Sequence, residues 1–170
     1  MQPRTLTLIA IIFAIVLFRF LPHPPNVSPV AAMALFGGAV FLDKRLAFVV
    51  PFAAMLFSDM IIGLHDTILY VYAAFAMTVM IGFLLRERIG LLSVTVATVG
   101  SSLLFFALTN FGVWAAGGHG YAMNGAGLMQ AYIAGIPFLQ YSMAGNLFFA
   151  AVLFGGYELI RRWQPGLVRA

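Results

Sequence analysis

The sequence predicts an all-α, polytopic membrane protein: six transmembrane helices in a single domain over residues 1–170, with both termini cytoplasmic. Three observations predict it. Hydrophobic residues make up 63% of the chain and charged ones 8%, where soluble chains carry roughly 45–50% and about 25%. The apolar residues fall into runs near the roughly 20 residues that a spanning helix needs. Finally, eight of the nine Lys and Arg residues fall on one side if all six runs cross, the side that the positive-inside rule makes cytoplasmic.

The first helix is expected over Thr5–Leu21. Arg4 and the apolar run behind it resemble the start of a secretory signal, but Arg19-Phe20-Leu21-Pro22-His23 offers no small-x-small cleavage site, so the helix reads as retained. Pro22, Pro24 and Pro25 stop it by removing donors and disfavouring helical backbone before them. The second helix, Ser28–Leu42, starts with Ser28 as N-cap and Pro29 at the first helical position. At 1.5 Å per residue it reaches only about 22 Å, short of a hydrocarbon layer of roughly 30 Å. The third is Leu46–Gly63, with Pro51 near its start, and Asp66 is placed to cap the fourth, Thr67–Leu85. The fifth is Ile89–Ala116. A Gly-rich stretch and a short apolar piece, Leu128–Ile136, then form an outer lid-like loop over residues 117–136, before the sixth helix at Pro137–Ile160.

Charge decides whether the short second run crosses. With six crossings the inner side holds Arg4, Lys44, Arg45, Arg86, Arg88, Arg161, Arg162 and Arg169, and the outer side only Arg19. Without the second crossing every later loop inverts, and Arg86, Arg88 and the C-terminal arginines move outside, against the positive-inside rule. Tyr157 and Trp163 then sit at the inner interface and Trp114 near the outer one. The net charge of +4 thus reads as orientation in a lipid bilayer and not as a nucleic-acid surface. Zero cysteine removes disulfides and thiolate chemistry.

In this orientation the polar residues gather in the outer half. Asp59 lies about one turn below the end of the third helix, and Asn110 and Trp114 share a face of the fifth. Gln140, Tyr141, Ser142 and Asn146 occupy the outer half of the sixth, Asn26 the first outer loop. His23, His65 and His119 are all in outer loops, and Tyr70, Tyr72, Tyr121, Tyr132 and Tyr141 are on the same side. Polar groups in a bilayer face the bundle or a wet cavity, so confinement to one leaflet suits an outward-opening pocket for a small, partly aromatic molecule. Asn26, Asp59, Asn110, Trp114, Gln140, Tyr141 and Asn146 are the candidate ligand contacts; His23, His65, His119, Tyr121 and Tyr132 belong to the loops above them.

Plainer roles compete with these. Asp59 can pair with Arg19, Asn110 and Asn146 can serve as interhelical hydrogen-bond glue, and some tyrosines form an interfacial belt. The histidine spacings match no compact metal-ligand motif, so neither metal nor cofactor is expected. No catalytic motif and no nucleotide-binding Gly-x-x-x-x-Gly-Lys-Ser/Thr occurs, and Lys44 is the only lysine. A binding subunit is therefore favoured over an enzyme, with a membrane scaffold and, behind it, a metal-handling protein as the alternatives.

Leu21-Pro22-His23-Pro24-Pro25-Asn26 through Ala34-Leu35-Phe36-Gly37-Gly38, Met55-Leu56-Phe57-Ser58-Asp59, Ser101–Phe106 with Thr109–Trp114, and Ala134–Phe138 with Leu153–Gly156 resemble an uncharacterised bacterial family of transport proteins. The resemblance covers most of the chain. That family is similar to the substrate-binding (S) components of energy-coupling factor transporters, which import vitamins and micronutrients. The similarity implies an outer pocket over helices four to six, closed by the first, third and fifth loops. It also implies a small-residue face on the first helix, matched by Ala10-x-x-x-Ala14, that docks with an energising module of one membrane subunit and two ATPases. It implies no particular substrate.

Overall fold

A computed structural model describes residues 2–167 of the chain; Arg169, counted above among the cytoplasmic charges, lies outside them. The fold is all-helical. Its six α-helices are α1 (Pro3–Val16), α2 (Val30–Val40), α3 (Lys44–Ile62), α4 (Ile68–Leu84), α5 (Leu91–Ala115) and α6 (Gly125–Trp163). A 3₁₀ turn, Leu17–Phe20, prolongs α1, and two more occupy Gly118–Gly120 and Pro165–Leu167.

Four helical stretches are long and apolar enough to cross a membrane: Pro3–Phe20, α3, α5 and α6. Their outward faces carry large apolar side chains such as Leu6, Val49, Leu91 and Ile133, which suits hydrocarbon and not water. The two other helices are shorter, with 17 residues in α4 and 11 in α2.

Every residue of α2 is buried. It runs through the middle of the bundle and touches all five other helices. Such centrality needs small side chains, and Val30–Val40 supplies four alanines and two glycines. Gly38 of α2 and Gly82 of α4 meet backbone to backbone, since a Cβ on either would overlap a carbonyl of the other helix. Gly37 gives the same clearance to the ring of Pro51 on α3. Larger rings fill the remaining space, with Phe36 edge-on to Phe154 and Phe18 edge-on to Phe149 at centroid separations of 5.3 and 4.8 Å.

A buried helix end leaves carbonyls that water cannot reach. At the C-terminus of α2 two arginines take this role. Arg86, just beyond α4, donates from Nε to the Gly38 carbonyl at 3.0 Å, from Nη2 to Phe41 at 2.8 Å and from Nη1 to Leu42 at 3.3 Å. Its guanidinium also lies over the Phe83 ring, 4.5 Å from the centroid. Arg4 donates from Nη2 to the Val40 carbonyl at 2.8 Å. Both cations also oppose the negative end of the helix dipole.

Three local expectations are corrected. Ser28 and Asp66 do not cap: α2 and α4 begin one residue later than the sequence suggests, with Pro29 and Thr67 at the N-cap and no side-chain cap on either. Residues 125–136 are not a loop, because α6 starts at Gly125 and runs unbroken through Pro137. Asn124 begins it, its Oδ1 accepting from the Gly127 amide at 3.0 Å. Gly127, Ala131 and Gly135 recur every four residues and are buried. This small-residue seam holds the stretch against its neighbours, and the ring of Pro137 points to the exposed side.

Arg86→Gln should destabilise the protein by about 1–3 kcal/mol, the usual penalty for orphaned buried carbonyls. Arg86→Lys should recover only part of this, because one ammonium cannot serve three carbonyls in a fork. Unfolding midpoints of the purified variants in detergent check both.

Candidate functional site

The end of the bundle away from Arg86 is hollow. On α5, Ser102, Phe105, Phe106, Thr109, Asn110 and Val113 recur at three- and four-residue spacing and so form one stripe. On α6, Gly135, Phe138, Leu139 and Ser142 do the same. The two stripes face one another across a cavity of about 320 Å³. Gly135 sets the approach here, since a Cβ would collide with the Asn110 amide and the Phe106 ring.

The Pro-rich segment after α1 completes this wall. Val27 N–H donates to the Pro24 carbonyl at 3.1 Å, closing a turn with Pro25 second and Asn26 third. Asn26 has φ of +65°, the left-handed value that the third position of a type II turn requires and that Asn tolerates well. Gly145 on α6 lets the turn settle, because a Cβ there would sit 3.1 Å from Val27 Cα. Asn26 is thereby held over the gap between α5 and α6.

A second cavity of about 180 Å³ adjoins the first and shares Asn26, Phe105 and Ser142 with it. Its other walls are Arg19, Ser28, Met55, His65, Val71, Asn146 and the first residues of α2, Val30 and Ala31. Arg19 is held from behind. Its Nη1 is 2.7 Å from Asp59 Oδ1, contacts Met55 Sδ at 3.1 Å and hydrogen-bonds Ser58 Oγ. The other Asp59 oxygen accepts from the Tyr72 hydroxyl at 2.9 Å. The Asp59 side chain is 2% exposed against 14% for Arg19, so the guanidinium and not the carboxylate fronts the cavity. Below it, Asn146 donates from Nδ2 to Ser102 Oγ at 3.0 Å, and Ser102 donates to the Thr98 carbonyl at 2.9 Å.

Of the residues singled out from sequence, Asn26, Asn110, Asn146 and His65 line these cavities. Asp59 stands one layer back, in the pair with Arg19. Trp114 lines neither; its Nε1 donates to the Ala122 carbonyl at 2.9 Å and ties α5 to the connector. Gln140 and Tyr141 are on the exposed side of α6. Tyr132 belongs to the helix and not to a loop, its hydroxyl donating to the Ala107 carbonyl of α5 at 2.8 Å. His23 packs on Phe18, and His119, at φ of +58°, lies beside Tyr121. Among the described residues no three His, Asp or Glu side chains converge to hold a metal. Ala10 and Ala14 are both exposed along α1.

Arg19, Ser102, Phe105, Phe106 and Thr109 also line the cavities and are not among the ligand contacts expected from sequence. The signal that finds the last four is the recurrence of Ser102, Phe105, Phe106 and Thr109 at three- and four-residue spacing on one helical face.

The profile of a family of unknown function, DUF6580, matches residues 1–167. The chain belongs to DUF6580. Comparison of this DUF6580 chain with curated proteins and with solved structures returned no match in either.

In the DUF6580 bundle the Arg19–Asp59 pair should behave as a unit. Arg19→Gln or Asp59→Asn alone should cost about 3–5 kcal/mol by stranding a buried charge, while the double substitution should be near neutral. A double-mutant cycle of unfolding free energies in detergent measures the coupling.

Proposed function

We propose that this DUF6580 protein is a small-molecule-binding transport subunit of the bacterial cytoplasmic membrane. In this reading the chain crosses six times with both termini inside, and the paired cavities between α5, α6 and the start of α2 open outward. The observation that carries it is the convergence of Asn26, Asn110, Ser142, Asn146 and Arg19 on two adjoining hollows with aromatic walls. Apolar walls with a few orienting polar groups are what a site for a small organic molecule needs.

Orientation is supported by the distribution of charge. Arg4 and Arg86 meet at the end of α2, and Arg161 and Arg162 share a groove with the Ile89–Leu91 start of α5. The basic residues of α1, α4 and α6 thus gather at one end of the bundle and Arg19 stands at the other, the asymmetry of a membrane protein whose basic end is cytoplasmic. The short α2 then crosses inside the protein, shielded from lipid by its neighbours, where length is a weaker constraint than at a lipid-facing position.

Similarity to S components of energy-coupling factor transporters supplies the partner: an energising module of one membrane subunit and two ATPases, docking on the first helix. The exposure of Ala10 and Ala14, one turn apart, favours that surface, because small side chains let a partner helix come close.

Reporter fusions after residue 170 and within the α2–α3 connection should both give cytoplasmic signals, and a fusion between α3 and α4 an external one. A periplasmic C-terminal signal would refute the topology. For function, a thermal-shift screen of micronutrient-sized molecules on the purified protein should yield a stabilising ligand. Ser142→Trp, filling the wall common to both cavities, should abolish that shift while leaving the unliganded melt intact. Failure of every compound to stabilise the protein would count against a binding role.

A further inference from the structure

We propose that the smaller cavity receives the carboxylate of a small amphiphilic acid whose apolar body occupies the larger one. This rests on the small-molecule-binding reading and names its substrate class.

The cationic side of the smaller cavity has unused donors. Arg19 employs Nη1 against Asp59, Ser58 and Met55, while its Nε and Nη2 donate to no protein group among the described residues. Asp59 engages Nη1 through one oxygen and Tyr72 through the other, so the Nε–Nη2 edge of the guanidinium is left to the cavity. Guanidinium edges with two free N–H groups match a carboxylate in geometry as well as charge.

The start of α2 adds backbone donors at the same wall. The first helical bond runs from Met33 N–H to the Pro29 carbonyl. Val30, Ala31 and Ala32 therefore precede it, and no side chain caps them. These three residues are buried, at 8%, 4% and 1% exposure. Their N–H groups find no acceptor among the described residues, and Val30 and Ala31 line the cavity. An uncapped, buried helix N-terminus beside a half-free guanidinium favours an anion.

Asn146 supplies an independent indication. It is 6% exposed, and Ser102 has already committed its one proton to the Thr98 carbonyl. Ser102 must then accept from Asn146 Nδ2, which fixes the amide with Oδ1 left over. That oxygen has no protein donor among the described residues, and Asn146 lines this cavity. An acceptor that faces this cavity without a protein partner suits a ligand that also donates an N–H or O–H. Phe105, Phe106, Val113, Phe138 and Leu139 in the larger cavity offer only apolar contact to the rest of the molecule. A single guanidinium already paired on one side suits a monoanion better than a phosphate dianion, and it repels an amine.

The test uses the full-length protein in detergent at pH 7 and isothermal titration with matched probes: benzoate, 4-hydroxybenzoate and nicotinate against their amides. At least one acid should bind about tenfold or more tightly than its amide. Acetate should compete with the acid and leave amide binding unchanged. The R19Q/D59N protein, which loses both charges together, should bind acid and amide alike, at the wild-type amide affinity. Amides binding as tightly as acids would overturn the acid assignment while leaving a small-molecule site standing. Acid preference that persists in folded R19Q/D59N, or that is indifferent to acetate, would overturn it as well. Binding of neither class at millimolar concentration would remove the small-molecule reading and this inference with it.

Discussion

Eleven successive peptide units of α2 lie inside the bundle with no residue left at the surface, and most of the architecture follows from that placement. Within the helix the backbone groups satisfy one another, but the two ends cannot. At the C-terminal end the chain solves the problem with its own cations, reaching in from α1 and from beyond α4. At the N-terminal end no side chain takes the corresponding role, and the space beside it stays open. The polarity of the molecule, with arginines on the carbonyls at one end and cavities lined by Asn and Ser at the other, is the polarity of this one helix.

Close packing around α2 depends on side chains that are nearly absent. Gly38 and Gly82 bring α2 and α4 into backbone contact, and Gly37 seats the Pro51 ring of α3 beside them. Gly135 and Gly145 do the analogous job at the hollow end, admitting the Asn110 amide and the Val27 turn. The difference lies in what fills the remaining volume. Beside the middle of α2 it is Phe36, with Phe154 and Tyr157 edge-on to it. At the hollow end Asn26, Ser142 and Asn146 leave part of that volume empty, and polar groups in such a space want water or a ligand.

Much of this was legible in the chain, and the parts that were not have physical causes. Apolar run length and the placement of Arg and Lys located six helices, because both signals are properties of whole segments. Pro137 misled, since a proline reads as a helix start, yet Gly127, Ala131 and Gly135 packed against neighbours keep the helix going before it. Gln140 and Tyr141 have polarity in their favour and position against them. The cavity face of α6 passes through Gly135, Phe138, Leu139 and Ser142, and the two residues between fall on the far side. Asp59 was weighed as a partner of Arg19 and as a ligand contact; the pairing is what the structure contains. Which partner would present itself to the cavity depended on depth, and one-dimensional spacing carries no information about that.

The Arg19–Asp59 pair has a consequence for biogenesis. Arg19 is synthesised before α2 and α3, and a lone guanidinium is poorly tolerated in hydrocarbon. Until Asp59 and Tyr72 arrive, the first helix can settle only with its charged end held at the headgroups. The opening segment is therefore secured by chemistry encoded two helices downstream, and its charged end reaches its final partners only once α3 and α4 have packed beside it.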